Sequence, residues 1–198
     1  MLPSDSERST GKIVSPYQEG LLYTYLNEYI KLKDEQIQRM RFRDNLLYLT
    51  LAAFGGIVSY AVTDPSRYYA FLVLPWVCFI LGWTYLVNDE KISAVGRYLR
   101  YQLSDKLEKL TATEEKGLLL GWEVAHRSDK RRVSRKIFQF LVDEITFFIS
   151  GLVALGIFWL KEPTLYSLPI QVLSIVELLL LCSLGIWIFV YADFKKGR

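Results

Sequence analysis

The chain has 198 residues, a formal net charge of +3 and 23% charged residues, so mean composition alone would pass for an ordinary globular domain. The charge is segregated, however. Of its 24 lysines and arginines, seven lie in residues 1–44, twelve in 88–137 and three after Tyr191, leaving only Arg67 and Lys161 between them. That division, with four long apolar runs, excludes a simple soluble fold and predicts an all-α, polytopic membrane protein.

Residues 1–14 are polar, without helical periodicity, and read as a disordered tail. They lack the apolar stretch of a cleavable signal peptide. Ser15-Pro16-Tyr17-Gln18 then combines an N-cap serine, a proline at the first helical position and a capping-box glutamine. An amphipathic helix over 15–44 follows, with Leu22, Leu26, Tyr29, Ile37 and Met40 at rough helical spacing. No strong breaker intervenes before Asp64-Pro65, so this helix should run directly into the first span.

The apolar runs are Leu46–Val62, Tyr69–Val87, Ile145–Leu160 and Ile170–Tyr191. At 1.5 Å per residue they reach roughly 24–33 Å, the thickness of a hydrocarbon core. They form two transmembrane hairpins, within 45–87 and 138–191, followed by a tail at 192–198. Positive charge is retained on the cytoplasmic side. Both termini and residues 88–137 should therefore be cytoplasmic, and the short links should face outward across a cell (inner or plasma) membrane. No Asn-x-Ser/Thr sequon bears on this orientation.

Past the second run, Ile92, Val95, Leu99, Leu103, Leu107 and Leu110 form an apolar stripe, and Gly117 and Gly121 punctuate a loop over Thr111–Gly121. A third polar helix should begin near Trp122 and feed the third span. The economical arrangement is a cytoplasmic helical bundle on a four-helix membrane bundle. The links Asp64-Pro65 and Glu162-Pro163 stand 98 residues apart. A parallel duplication and the commonness of proline in short links both account for that. Tyr60, Tyr68, Tyr69, Trp159 and Tyr166 gather at the outer interface, and Tyr48, Trp83, Tyr85, Trp187 and Tyr191 at the inner one, as aromatic belts do.

Glu177 is the sharpest chemical feature. It lies about 10 Å inside the fourth span, where a carboxyl is expensive and marks a functional site by default. Ser174 and Gln171 precede it by one and two turns. Three readings stand: a protonated residue bonded to Thr50, Ser59, Thr84 or Ser150, the wall of a water-filled path, or a ring built from several subunits. Asp143 and Glu144 mark the inner end of the third span, with Arg135 and Lys136 two turns below. They read either as a salt-bridge collar or as an acidic vestibule for cations.

Arg127, Lys130, Arg131, Arg132, Arg135 and Lys136 make six basic residues in ten, suited to anionic lipid headgroups. Without an aromatic platform or phosphate loop, no nucleic acid is expected. Small residues at Ala52/Gly56, Gly55/Ser59 and Ser150/Ala154 suit close helix contacts, within one chain or between chains. Cys78 and Cys182, inside spans, read as apolar fillers.

With one histidine and no HExxH, GxGxxG, Walker or GxSxG motif, neither enzyme, metal nor cofactor is expected. The helix order, amphipathic cytoplasmic helices feeding paired spans with short outer links, resembles the SLATT-like membrane effector modules of bacterial defence systems. Such modules often have two spans rather than four. The resemblance implies an oligomer that perturbs the membrane when triggered. The competing expectations are a scaffold that tethers a cytoplasmic protein partner, and a small ion channel or transporter.

Overall fold

A computed structural model describes residues 15–111, 120, 131–161 and 167–192. Every regular element among them is helical, and four of the helical runs are long and apolar enough to cross a membrane.

Helix α1 covers Pro16–Val62 without interruption. Its capping box forms as expected: the Gln18 amide donates to Ser15 Oγ at 3.3 Å, and the Ser15 amide donates to Gln18 Oε1 at 3.0 Å. It ends where Pro65 forces the preceding residue out of helical geometry, and Asp64 is extended at φ −150°, ψ 129°. Asp64 then caps the 3₁₀ segment Pro65–Leu72, accepting from the amide and hydroxyl of Ser66. Those two bonds hold its carboxyl below the usual carboxylate range.

The chain continues through α2 (Val73–Tyr98), one π-helical turn (Leu99–Leu103) and α3 (Ser104–Thr111). Leu99, Leu103 and Leu107 bury their side chains against Leu22, Tyr25, Tyr29 and Leu32 of α1, which confirms the apolar stripe. Leu120 packs on this cluster with a left-handed backbone (φ 57°), a conformation that disfavours a leucine. Gln36 is buried in the same seam and donates to the Ile92 carbonyl at 3.2 Å. The Tyr98 hydroxyl donates to Glu28 at 2.6 Å. Two polar-end extensions thus pair. The start expected for a third, near Trp122, lies outside the described residues.

Helix α4 (Arg132–Asp143) passes through a π-helical turn (Glu144–Ile149) into α5 (Ser150–Lys161), and α6 covers Leu168–Tyr191. The π turn carries no proline or glycine, so nothing in the sequence announces it. Its wider winding is matched by Ser150, whose hydroxyl donates five residues back to the Ile145 carbonyl at 2.6 Å. The second link, with Glu162-Pro163, lies outside the described residues, as do the 1–14 tail and most of the one at 192–198.

Two apolar clusters fill the bundle. Leu46, Tyr85, Leu86, Phe147, Leu184 and Ile188 form one toward the polar extensions, and Ala61, Phe71, Leu74, Ala154 and Phe158 form the other at the link end. Tyr85 was expected in an exposed belt. It is instead buried, its ring 5.1 Å from that of Phe147. Close helix approach falls at different glycines from those the small-residue spacing marked. Gly55 and Gly56 face open space, whereas Gly82, Gly151 and Gly185 press against side chains of neighbouring helices.

Candidate intramembrane carboxyl site

Helix α6 is apolar almost throughout and turns Glu177 into the bundle. The residue is 1% exposed, and neither carboxyl oxygen has a hydrogen-bond partner. Ser174, one turn away, is also buried, with its Oγ unpartnered. The indole of Trp76 on α2 is close enough to act on the carboxyl but does not meet hydrogen-bonding geometry. Gln171 does not join them. Six residues separate it from Glu177, about 120° around the helix, and its side chain is exposed.

The four hydroxyls considered as partners are engaged or distant. Thr50, Thr84 and Ser150 donate to carbonyls of their own helices, at Leu46, Ile80 and Ile145. Ser59 is on the exposed side of α1. Glu177 faces the interior of its own chain rather than an outer face of α6. The arrangement is a buried carboxyl and a buried hydroxyl one helical turn apart, neither in hydrogen-bonding geometry with another group among the described residues.

A second polar site closes the bundle at the end of the polar extensions. Asp143 ends α4 just before the π turn and is buried, with Oδ1 unpartnered. It lines a cavity of about 20 Å³ with Tyr85, Asp89, Lys136, Gln139 and Tyr191, room for about one water. Gln139 Nε2 bridges the Tyr85 hydroxyl (3.4 Å) and Asp89 Oδ1 (3.3 Å). Arg43 of α1 donates to the same Asp89 oxygen at 2.7 Å, and its guanidinium sits 5.9 Å from the centre of the Tyr85 ring. Three helices therefore meet in one polar knot, of which sequence reasoning singled out Asp143 and Lys136 as charged groups and Tyr85 and Tyr191 only as belt aromatics. The recoverable signal was Gln139, one helical turn before Asp143 on the same face. Glu144 stands beside the knot, only partly buried.

Arg131 and Arg135 are exposed at the start of α4, where the Arg135 amide donates to the Arg131 carbonyl. Arg132 opens that helix. Arg127 and Lys130 lie outside the described residues. Along α6 and the π turn, Phe147, Leu181 and Leu184 lie between the two polar sites and are fully buried, Phe147 and Leu184 within one apolar cluster. No protein-family model matches the chain, and neither does any curated protein or any solved structure.

Proposed function

We propose that this chain is a non-enzymatic integral membrane protein that crosses the bilayer four times, self-associates and acts by admitting protons or cations through the membrane. Both termini and the 88–137 region are cytoplasmic in this reading. Glu177 is the group in the path. The observation that carries the reading is the unpartnered state of the Glu177 carboxyl and the Ser174 hydroxyl. A buried polar group left unsatisfied costs roughly 1–3 kcal/mol, and a residue that merely glued helices together would have its partner. A buried carboxyl beside a hydroxyl, without a protein donor in hydrogen-bonding geometry among the described residues, is suited to take up water, a proton or a cation. The buried side chains of Phe147, Leu181 and Leu184 would limit leakage on the side of the polar knot. Because Glu177 is enclosed by a single chain, the path runs through each protomer.

Self-association draws its support from α1. At 100° per residue, exposed Tyr23, Leu26, Ile30, Ile37, Tyr48, Leu51, Gly55 and Ser59 fall within a sector about 80° wide, continuous over both halves of the helix. Arg41 and Asp44 fall within the same sector on either side of its midline, so two parallel copies related by a two-fold axis would bring Arg41 of one toward Asp44 of the other, which Arg43 of its own chain already contacts at 3.1 Å. The exposed apolar side chains on the polar half also favour the scaffold reading, in which a cytoplasmic partner covers them.

Ion flux into liposomes carrying purified protein tests the proposal. Wild type should conduct, and Glu177→Gln, which keeps shape and removes the charge, should change flux or selectivity while the protein stays folded. Equal flux in both removes Glu177 from the path. No flux from wild type, together with capture of one stoichiometric cytoplasmic protein, replaces the reading with a scaffold.

A further inference from the structure

At the link end of the bundle, α1 and α5 barely touch. The 3₁₀ segment packs on both and holds them apart. The cavity this leaves measures about 480 Å³, within the ~300–1,000 Å³ of small-molecule sites. Phe54 and Val58 of α1 form one wall, Ile157 of α5 the other, and Tyr68 and Phe71 the floor. Val62 and Ile157, at its edge, are themselves exposed, so the cavity opens sideways to whatever surrounds the bundle. Lys161 lines it at the rim, as the last residue of α5 and the first beyond the apolar run ending at Leu160.

We propose that this groove binds one anionic glycerophospholipid, with an acyl chain between α1 and α5 and the phosphate on Lys161. The inference rests on the four-span reading, which puts the walls at hydrocarbon depth and Lys161 at headgroup level. Water is a poor occupant of an apolar cleft, and a hydrocarbon chain that enters from the side matches its lining. The charge at the rim selects the headgroup. A cation there attracts phosphate, and this end of the chain has few cations to compete: Arg67 is the other in the first link, and its guanidinium lies over the Tyr60 ring at 4.9 Å.

The test uses the full chain in liposomes with a trace of phosphatidylglycerol or phosphatidylcholine that carries a photoreactive tail, the adducts mapped by mass spectrometry. Adducts should concentrate on residues 54–62 and 153–161 over exposed α6 positions such as Ile175 and Leu179. They should form more readily with phosphatidylglycerol. Val58→Trp should displace them. Lys161→Gln should lower the phosphatidylglycerol preference about fivefold, the factor equivalent to about 1 kcal/mol per basic residue at an anionic surface. Uniform labelling of all outward faces, or a headgroup preference unchanged by Lys161→Gln, overturns the proposal alone. A covalent dimer bridged through the groove overturns it in favour of a second copy. Absence of labelling anywhere on the chain overturns the four-span reading and this proposal with it.

Discussion

A methyl group added at Gly82 would sit 2.8 Å from Cδ2 of Leu184 and 2.9 Å from Cγ of Phe147, an aromatic ring atom in a fully buried side chain. The same methyl at Gly56 meets nothing within 4 Å. Gly82→Ala should therefore destabilise the fold by about 1–3 kcal/mol, the usual cost of overpacking, and Gly56→Ala should not. Thermal unfolding midpoints in one detergent, compared across wild type and both variants, check the contrast; equal midpoints for the two variants contradict it. The sequence marks glycines but not the direction they face. Gly151, which lies 2.8 Å from Leu181 by the same measure, has Phe147 and Leu155 one turn to either side and so carries no small-residue spacing at all. Glu177 was legible as an oddity because charge in an apolar run is visible in one dimension. Its lack of partners depends on what α2 and α5 bring beside it, which no spacing encodes.

Between elements, the link that joins α1, α2 and α4 is the knot of Arg43, Asp89 and Gln139. Arg43 and Asp89 are each only about a fifth exposed, so their pair is less screened than a surface bridge. Replacing Arg43 by Met leaves Asp89 half-buried with Gln139 as its remaining polar partner. We expect a loss of about 1.5–3 kcal/mol, the range for hydrogen bonds to charged groups. The exchanged pair Arg43→Asp with Asp89→Arg should recover part of it. Stability of the double variant no better than that of Arg43→Asp alone shows that the pair contributes nothing specific. The start of α1, its unbroken length and the apolar stripe on α2 and α3 were legible, since caps and periodicity are local. The π turn at Glu144–Ile149 was not, because it answers to packing. It inserts its extra winding between Asp143 and Ser150, and both Asp143 and Phe147 end up facing the interior.

For the whole molecule, the number of candidate spans agrees with the segregation of charge, and orientation is the part to be measured. With Cys78 and Cys182 replaced, a cysteine at Thr164 should react with an impermeant maleimide in intact cells, and one at Ser93 only after permeabilisation. The opposite pattern reverses the topology. Self-association through the outer stripe of α1 predicts disulfide-trapped dimers from Ile30→Cys or Ile37→Cys in native membranes. It predicts none from Leu32→Cys, whose position packs on the Leu99–Leu107 cluster. Dimers of equal yield at all three positions would reflect random collision. The number of candidate spans was legible because the thickness of a bilayer sets the length of the apolar runs in the sequence itself. The groove at Lys161 was not, as it exists only where two helices fail to meet.

One further consequence follows from α1 having no break between Pro16 and Val62. At 1.5 Å per residue it is a stiff rod about 70 Å long, gripped near its middle where Arg43 meets Asp89. A rod held there behaves as a lever. A rotation of about 10° around that fulcrum swings the Pro16 tip by about 7 Å and the Val62 tip by about 5 Å in the opposite sense. The Val62 arm forms one wall of the link-end groove, so a rigid rotation of α1 large enough to slide it over the Leu99–Leu107 cluster would also move that wall, because the helix between them is unbroken.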